Sequence, residues 1–192
     1  MRTTISQQEW LDSLEQCVEQ HIQKAIDFQN MDDAVLNKPA SDGGWSVAQC
    51  LAHLNSYGQY YLPYLKSGLG GQSGKRGAAV FKSSWLGNYL TRLMNPNLSK
   101  RKFKAAQRHQ PTAYLSAQQV VAEFIDQQEA LLVLLKKAAL ADLSQGRIPT
   151  SVMPWIRLSL GDVLQFVIVH NERHIAQAGR VLSGCTASSF RK

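Results

Sequence analysis

Apolar residues recur at three- and four-residue spacing in four long stretches, the period of helices that bury one face. Leu11, Leu14, Val18, Ile22 and Ala25 trace the first stripe and predict a helix to about Gln29. Val47, Cys50, Leu51, Leu54, Tyr57, Tyr61 and Leu65 trace the second, ending before Ser67-Gly68. Val120, Val121, Phe124, Ile125, Leu131, Leu132 and Leu135 form the third. The fourth runs Leu160, Val163, Leu164, Val167, Ile168, His170, His174 and Val181 and stops at Gly184. Each stripe stands behind a capping-box pattern, in which a Ser oxygen accepts from the N3 amide and the N3 side chain reaches back to the cap. The four are Ser6-x-x-Glu9, Ser46-x-x-Gln49, Ser116-x-x-Gln119 and Ser159-x-x-Asp162; Asp is short for the return reach, so the last is the weakest. No alternating apolar run of useful length appears, and strands are not expected.

The connections shape the fold class. Helices one and two are joined by MDDAVLNKPASDGG, long enough to cross one end of a bundle. Between Ser67 and Pro111 lies a stretch opening with the Gly-rich GLGGQSGKRG, in which Phe81, Trp85, Leu86, Tyr89, Leu90 and Leu93 predict one short amphipathic helix. Such a crossover can span the bundle, so helices two and three need not be antiparallel neighbours. Without an internal repeat or a composition boundary, residues 1–192 read as one all-α domain, a four-helix bundle with a long crossover between helices two and three.

Composition narrows the class. With 44% hydrophobic and 18% charged residues, the chain of 192 is too apolar for disorder and long enough for a full core, so a metal is not needed as a staple. Cys17, Cys50 and Cys185 are odd in number and lack CxxC spacing, which excludes a disulfide framework and makes a cytoplasmic home the default. The opening MRTTISQQEW has no apolar h-region, so no signal peptide is expected. The aliphatic run from Leu131 to Leu135 is far short of the roughly 20 residues of a membrane span. The net charge of +7 is unevenly spread: residues 64–111 carry 10 basic and no acidic side chains. That block, with Lys100, Arg101, Lys102 and Lys104 at its densest point, suits either an anionic partner or plain solvation.

The candidate chemistry lies in histidines. His170 and His174 stand one turn apart, so both imidazoles leave the same face and can converge on one cation. They continue the buried stripe, where two unpartnered imidazoles would be costly. His53, beside the seam of helix two, is the candidate third ligand if helices two and four run antiparallel; a hydrogen-bonded core histidine is the competing reading. His21 and His109 read as solvent-side or packing residues. HNERH is not the zincin HExxH, since Glu172 stands two places after His170 and points off the metal face. Gln177 can support His174 from outside or be a plain polar seam residue.

Trp45-Ser46-Val47-Ala48-Gln49 leading to His53-Leu54, together with His170-Asn-Glu-Arg-His174-Ile-Ala-Gln177, resembles the DinB-like (DinB/YfiT-type) superfamily of four-helix-bundle metalloenzymes. The similarity extends to Phe103-Lys104…Gln110-Pro111 and to Leu158-Ser159-Leu160-Gly161-Asp162. The resemblance implies an up-down-down-up bundle and a divalent metal, zinc or nickel, held by His53, His170 and His174. It also implies, from some members, thiol-dependent transfer with a low-molecular-weight thiol such as bacillithiol or mycothiol.

A thiol-dependent S-transferase is therefore the leading expectation, acting on a small-molecule substrate, anionic if the basic crossover attracts it. Arg173 is a candidate anion contact or a surface charge, and Tyr57 and Tyr60 are pocket-lining or packing residues. A metal-dependent hydrolase at the same site is the alternative, lowered by the lack of a well-placed carboxylate base. A non-enzymatic protein binding nucleic acid or a membrane is a third, and the block lacks the aromatic interleaving or long amphipathic basic helix it needs. A homodimer is compatible with the sequence.

Overall fold

The computed structural model describes residues 5–72, 79–99, 101, 103–113 and 115–189, with side chains to 183. Four long helices carry the architecture: α1 (Gln7–Gln29), α3 (Val47–Gly70), α5 (Ala117–Ala138) and α6 (Leu160–Ser189). A one-turn helix, α2 (Asp33–Leu36), lies in the first connection, and α4 (Trp85–Met94) and a 3-10 turn (Gln107–His109) lie in the crossover.

Local signals explain most helix starts. Ser6 and Ser46 form complete capping boxes with Glu9 and Gln49. Ser159 accepts from the Asp162 amide, but the Asp162 carboxylate turns away to accept from Ser83 Oγ at 2.6 Å and the Ser84 amide at 3.1 Å. The Ser116 box does not form. There the Gln118 amide donates instead to Asp33 Oδ1 of α2. Two helix ends also differ from expectation. α3 runs through Ser67-Gly68 to Gly70, because Gly68 is a contact point: a Cβ there would lie 2.6 Å from Leu160 of α6. α6 keeps helical backbone through Gly184 to Ser189. Strands are present after all, in a two-residue antiparallel ribbon, β1 (Ile148–Pro149) with β2 (Arg157–Leu158), too short to carry an alternating pattern.

Side-chain pairs between helices give their directions. Asn55 donates to the Val120 carbonyl and Gln72 to that of Asp142, so α3 and α5 run parallel. His53 faces His174 while Gly68 faces Leu160, so α3 and α6 are antiparallel. Gln7 donates to the carbonyl of Ala141 and Gln118 to that of Met31, so α1 and α5 are antiparallel. The bundle is up-down-down-up. The parallel pair requires the chain to travel back the length of the bundle, and α4 makes that return along α6, with Gly87 beside Asp162 and the Met94 carbonyl beside Arg173. The first-helix connection instead crosses one end, since α1 packs on α5 and α6.

Two apolar clusters fill the interior. One holds Leu14, Val18, Tyr61, Leu65, Leu131, Leu160 and Leu164, the other Phe28, Leu51, Leu54, Phe124, Ile175 and Ala178. Between them the bundle carries a buried polar layer of His21, Gln128 and Asn171 on one side and His53 and His170 on the other. Asn171 donates to Gln128 Oε1 at 3.0 Å, fixing α5 against α6. Among the described residues no helix is long and apolar enough to cross a membrane.

The crossover is fastened at α4. A Cβ on Gly87 would stand 2.2 Å from the carboxylate of Asp162, which is wholly buried and held by Ser83 and Ser84. The Asp162 side chain has no room to yield, so Gly87→Ala is expected to destabilise by about 1–3 kcal/mol. Differential scanning calorimetry should show the midpoint falling by roughly 2–10 °C. An unchanged midpoint would mean that the close approach of α4 to α6 is not real.

Candidate metal centre

The second and fourth long helices bring His53, His170 and His174 together. One ring nitrogen from each lies within 4.8 Å of the others, and His53 and His170 are buried while His174 is half-buried. The ring centroids of His53 and His174 are 4.6 Å apart, and those of His53 and His170 are 5.2 Å apart. This follows from antiparallel packing: one turn of α6 separates His170 from His174, and α3 passes opposite with His53 between them.

Hydrogen bonds fix two of the tautomers. His53 Nδ1 meets the main-chain carbonyl of His109 at 2.7 Å, and His174 Nδ1 meets Gln177 Oε1 at 3.0 Å. Both partners are oxygens that only accept, so each Nδ1 carries the proton and each Nε2 keeps its lone pair. His170 Nδ1 is buried without a hydrogen-bond partner.

Burial holds all three imidazoles neutral. Desolvation, and then the neighbouring His174 and His53, push His170 well below its ordinary value. Desolvation, followed by His53, takes His174 down to about 3, against a smaller opposing effect of Gln177. His53 is lowered by burial, partly offset by the His109 carbonyl. Three neutral, nitrogen-bearing rings with converging lone pairs are a donor set suited to a borderline cation such as zinc or nickel rather than magnesium or calcium.

The remaining sequence candidates separate. Tyr57 adjoins the cluster, its ring 4.5 Å from His170 and 5.0 Å from His53, and burial pushes its hydroxyl up to about 12, so it stays protonated. Tyr60 lies outside, under the Arg108 guanidinium at 5.0 Å. Arg173 is committed to the crossover, donating to the carbonyls of Met94, Ser99 and Arg101, with its guanidinium 5.8 Å from the Phe103 ring centre. Glu172 sets its charge towards Cys17 of α1. Cys50 is a core thiol that burial pushes up to about 12.

Two residues escaped the sequence reading as parts of the site. Trp45, just before the Ser46 cap, lays its indole 4.8 Å from His53 and 5.9 Å from His174. His109, read as a solvent-side or packing residue, is buried and packs, stacking on Tyr57 at 3.9 Å, and its place beside the cluster was not foreseen. Trp45 entered the sequence reading only as the first residue of the stretch that resembles the family, not as a residue of the site. His109 carried no signal, because a loop residue has no periodicity to betray its burial. Outside Trp45, a cavity of about 340 Å³ is lined by Trp45, Phe103, Lys104, Ala105, Gln110 and Pro111. Of the densest basic positions, Lys104 lines that cavity and Arg101 is exposed, while Lys100 and Lys102 lie outside the described residues, as do residues 73–78 of the Gly-rich turn and the Cys185 side chain.

A four-helix bundle with a three-histidine cluster set between its second and fourth long helices is thus the class that fold and site define. The chain belongs to the DinB superfamily, which it matches over residues 7–178. Among solved structures it is similar to YfiT from Bacillus subtilis, described as a probable metal-dependent hydrolase with an unusual four-helix bundle topology. The identity is 19%, the TM-score 0.54, and the match covers 97% of this chain and 93% of that one, a likeness of fold. No curated protein matches the chain.

Proposed function

We propose that this chain is a divalent-metal-dependent enzyme acting on a small molecule, with His53, His170 and His174 as the metal ligands and hydrolysis as the reaction class. The observation that carries the reading is the convergence of three neutral imidazoles, two with the distal nitrogen already engaged by an oxygen. When bound, a zinc or nickel ion supplies Lewis acidity, lowering the pKa of a water or thiol and polarising a substrate oxygen. The description of YfiT as a probable metal-dependent hydrolase supports the same class.

The protein's own groups have definable roles. Gln177 and the His109 carbonyl hold the proton on Nδ1 of their histidines. Trp45 and Tyr57 wall the cluster and keep bulk water from two of its sides. Trp45, Tyr57, His109 and Gln177 include no carboxylate, so a nucleophile there would depend on a cation held by His53, His170 and His174 rather than on one of these four residues as a base. Lys104 and the aromatic faces of Trp45 and Phe103 give the adjoining cavity a preference for a small anionic substrate with an apolar part.

A second reading, transfer to a low-molecular-weight anionic thiol, is favoured by that cavity, which offers room beside the cluster for a second reactant with Lys104 at its edge. In either reading residues 1–192 act as one cytoplasmic domain. The test is elemental analysis of protein purified without chelator, followed by ester and amide substrates with and without added thiol. One zinc or nickel per chain and thiol-independent turnover are expected. Turnover only with thiol would select the second reading, and a chain that takes up no divalent metal would end both.

A further inference from the structure

We infer that His109 is a positioning residue for the ligand His53, pinning the 107–109 turn so that the crossover sets the affinity of the metal centre. The inference rests on the reading of the cluster as a metal site and adds to it a part of the chain no sequence signal assigns there.

The contacts form a closed ring. His53 Nδ1–H donates to the His109 carbonyl at 2.7 Å. Ser56 Oγ–H donates to the His53 carbonyl at 2.7 Å, and with its proton so committed the same oxygen accepts from His109 Nδ1–H at 2.9 Å. The His109 ring is buried and stacks on Tyr57, one turn of α3 beyond His53. Side chain and carbonyl of one crossover residue therefore grip α3 at two points four residues apart or closer.

This arrangement differs from that at His174. There the supporting oxygen comes from Gln177 on the same helix and is present whenever α6 is folded. At His53 the supporting oxygen belongs to the main chain of the crossover and is present only while that turn is seated. Without it the His53 proton is free to move to Nε2, which removes the lone pair a metal needs. The other ligand helix is tied to the same crossover, through the Arg173 guanidinium and the carbonyls of Met94, Ser99 and Arg101. Seating of the crossover and binding of the cation are thus linked, and linkage is reciprocal: each favours the other by the same free energy.

The full-length chain tests this with zinc as the probe. Zinc affinity is measured by competition with a chromophoric chelator for the parent, Ser56→Ala and His109→Ala, with melting of each metal-free protein recorded alongside. Both variants are expected to bind zinc about 10- to 100-fold more weakly, the usual cost of losing an outer partner of a metal ligand. Ser56→Ala removes a single hydroxyl and carries the test should His109→Ala fold poorly. Zinc is also expected to slow amide hydrogen exchange at residues 105–110 in the parent and less so in the variants. A lower melting point with parental zinc affinity would mean that His109 only packs, and the inference would fall while the metal site stood. Absence of zinc binding by the parent would overturn the site and the inference together.

Discussion

Replacing His170 by leucine is expected to weaken zinc binding roughly 100- to 1,000-fold while leaving the metal-free chain as stable as its parent or more so. Structural zinc sites bind with about 10–16 kcal/mol over four ligands, or about 2.5–4 kcal/mol for each. Loss of one of three ligands therefore removes two to three orders of magnitude at about 1.4 kcal/mol per tenfold. The stability half follows from the site's own chemistry. His170 is buried, its Nδ1 has no partner, and its ring lies 5.7 Å from that of Phe166 and 4.5 Å from that of Tyr57. Leucine fills a similar volume in those apolar surroundings and brings no unsatisfied polar atom. Calorimetric titration with zinc and thermal melts in chelator read the two effects separately. A leucine variant that bound zinc like the parent would remove His170 from the site. A marked fall in metal-free melting would mean that His170 holds the fold together instead.

The second large effect is expected with acid. Unfolded histidines take up a proton near pH 6.5, while in the folded chain burial lowers His21 to about 4 and His174 to about 3 and holds His170 well below its ordinary value. Between those limits the unfolded chain binds more protons than the folded one, so stability rises with pH and is lost as pH falls from about 6.5. Each histidine contributes about 1.4 kcal/mol per pH unit in that window, and the three together roughly 4 kcal/mol per unit. Against the 5–15 kcal/mol typical of a domain, the metal-free protein should unfold with a midpoint between about pH 5 and pH 3. Circular dichroism at 222 nm across pH 7.5 to 3 in chelator measures it. Saturating zinc should move the midpoint lower, since protons and metal compete for the same nitrogens. Urea midpoints that coincide at pH 7 and pH 5 in chelator would show that these rings are not held neutral.

Most of the bundle was legible because its helices announce themselves through period and caps. Ser6 and Ser46 satisfy local amides within three residues, and such short-range devices survive any tertiary arrangement. Ser116 and Asp162 fared otherwise, because a distant partner competes better: Asp33 reaches the start of α5, and Ser83 and Ser84 claim the Asp162 carboxylate. The end at Gly68 was misread because glycine serves close packing, here against Leu160, as readily as it ends a helix, and α6 also continues through Gly184. The histidine pair on α6 was visible in its spacing, and His53 in its place beside a seam. The placement of Trp45 against His53, of His109 against Tyr57 and of Arg173 against the crossover was not, because each depends on where a connection between helices lies, and no repeat in the sequence encodes that.

The packing order also decides when the centre can exist. α1 rests on α5 and α6, and α3 rests on α5 in parallel and on α6, so no two successive long helices form a hairpin. Both apolar clusters draw residues from α6, which follows α1, α3 and α5 in chain order. A nascent chain holding α1 to α5 therefore has neither interior closed, and such non-local packing is slow for a helical protein. His53 on α3 waits for partners that arrive only with α6. Docking of α6 both closes the two interiors and brings the three histidines together, so a chain ended before α6 is left without the cluster and with its apolar faces open to chaperones and proteases.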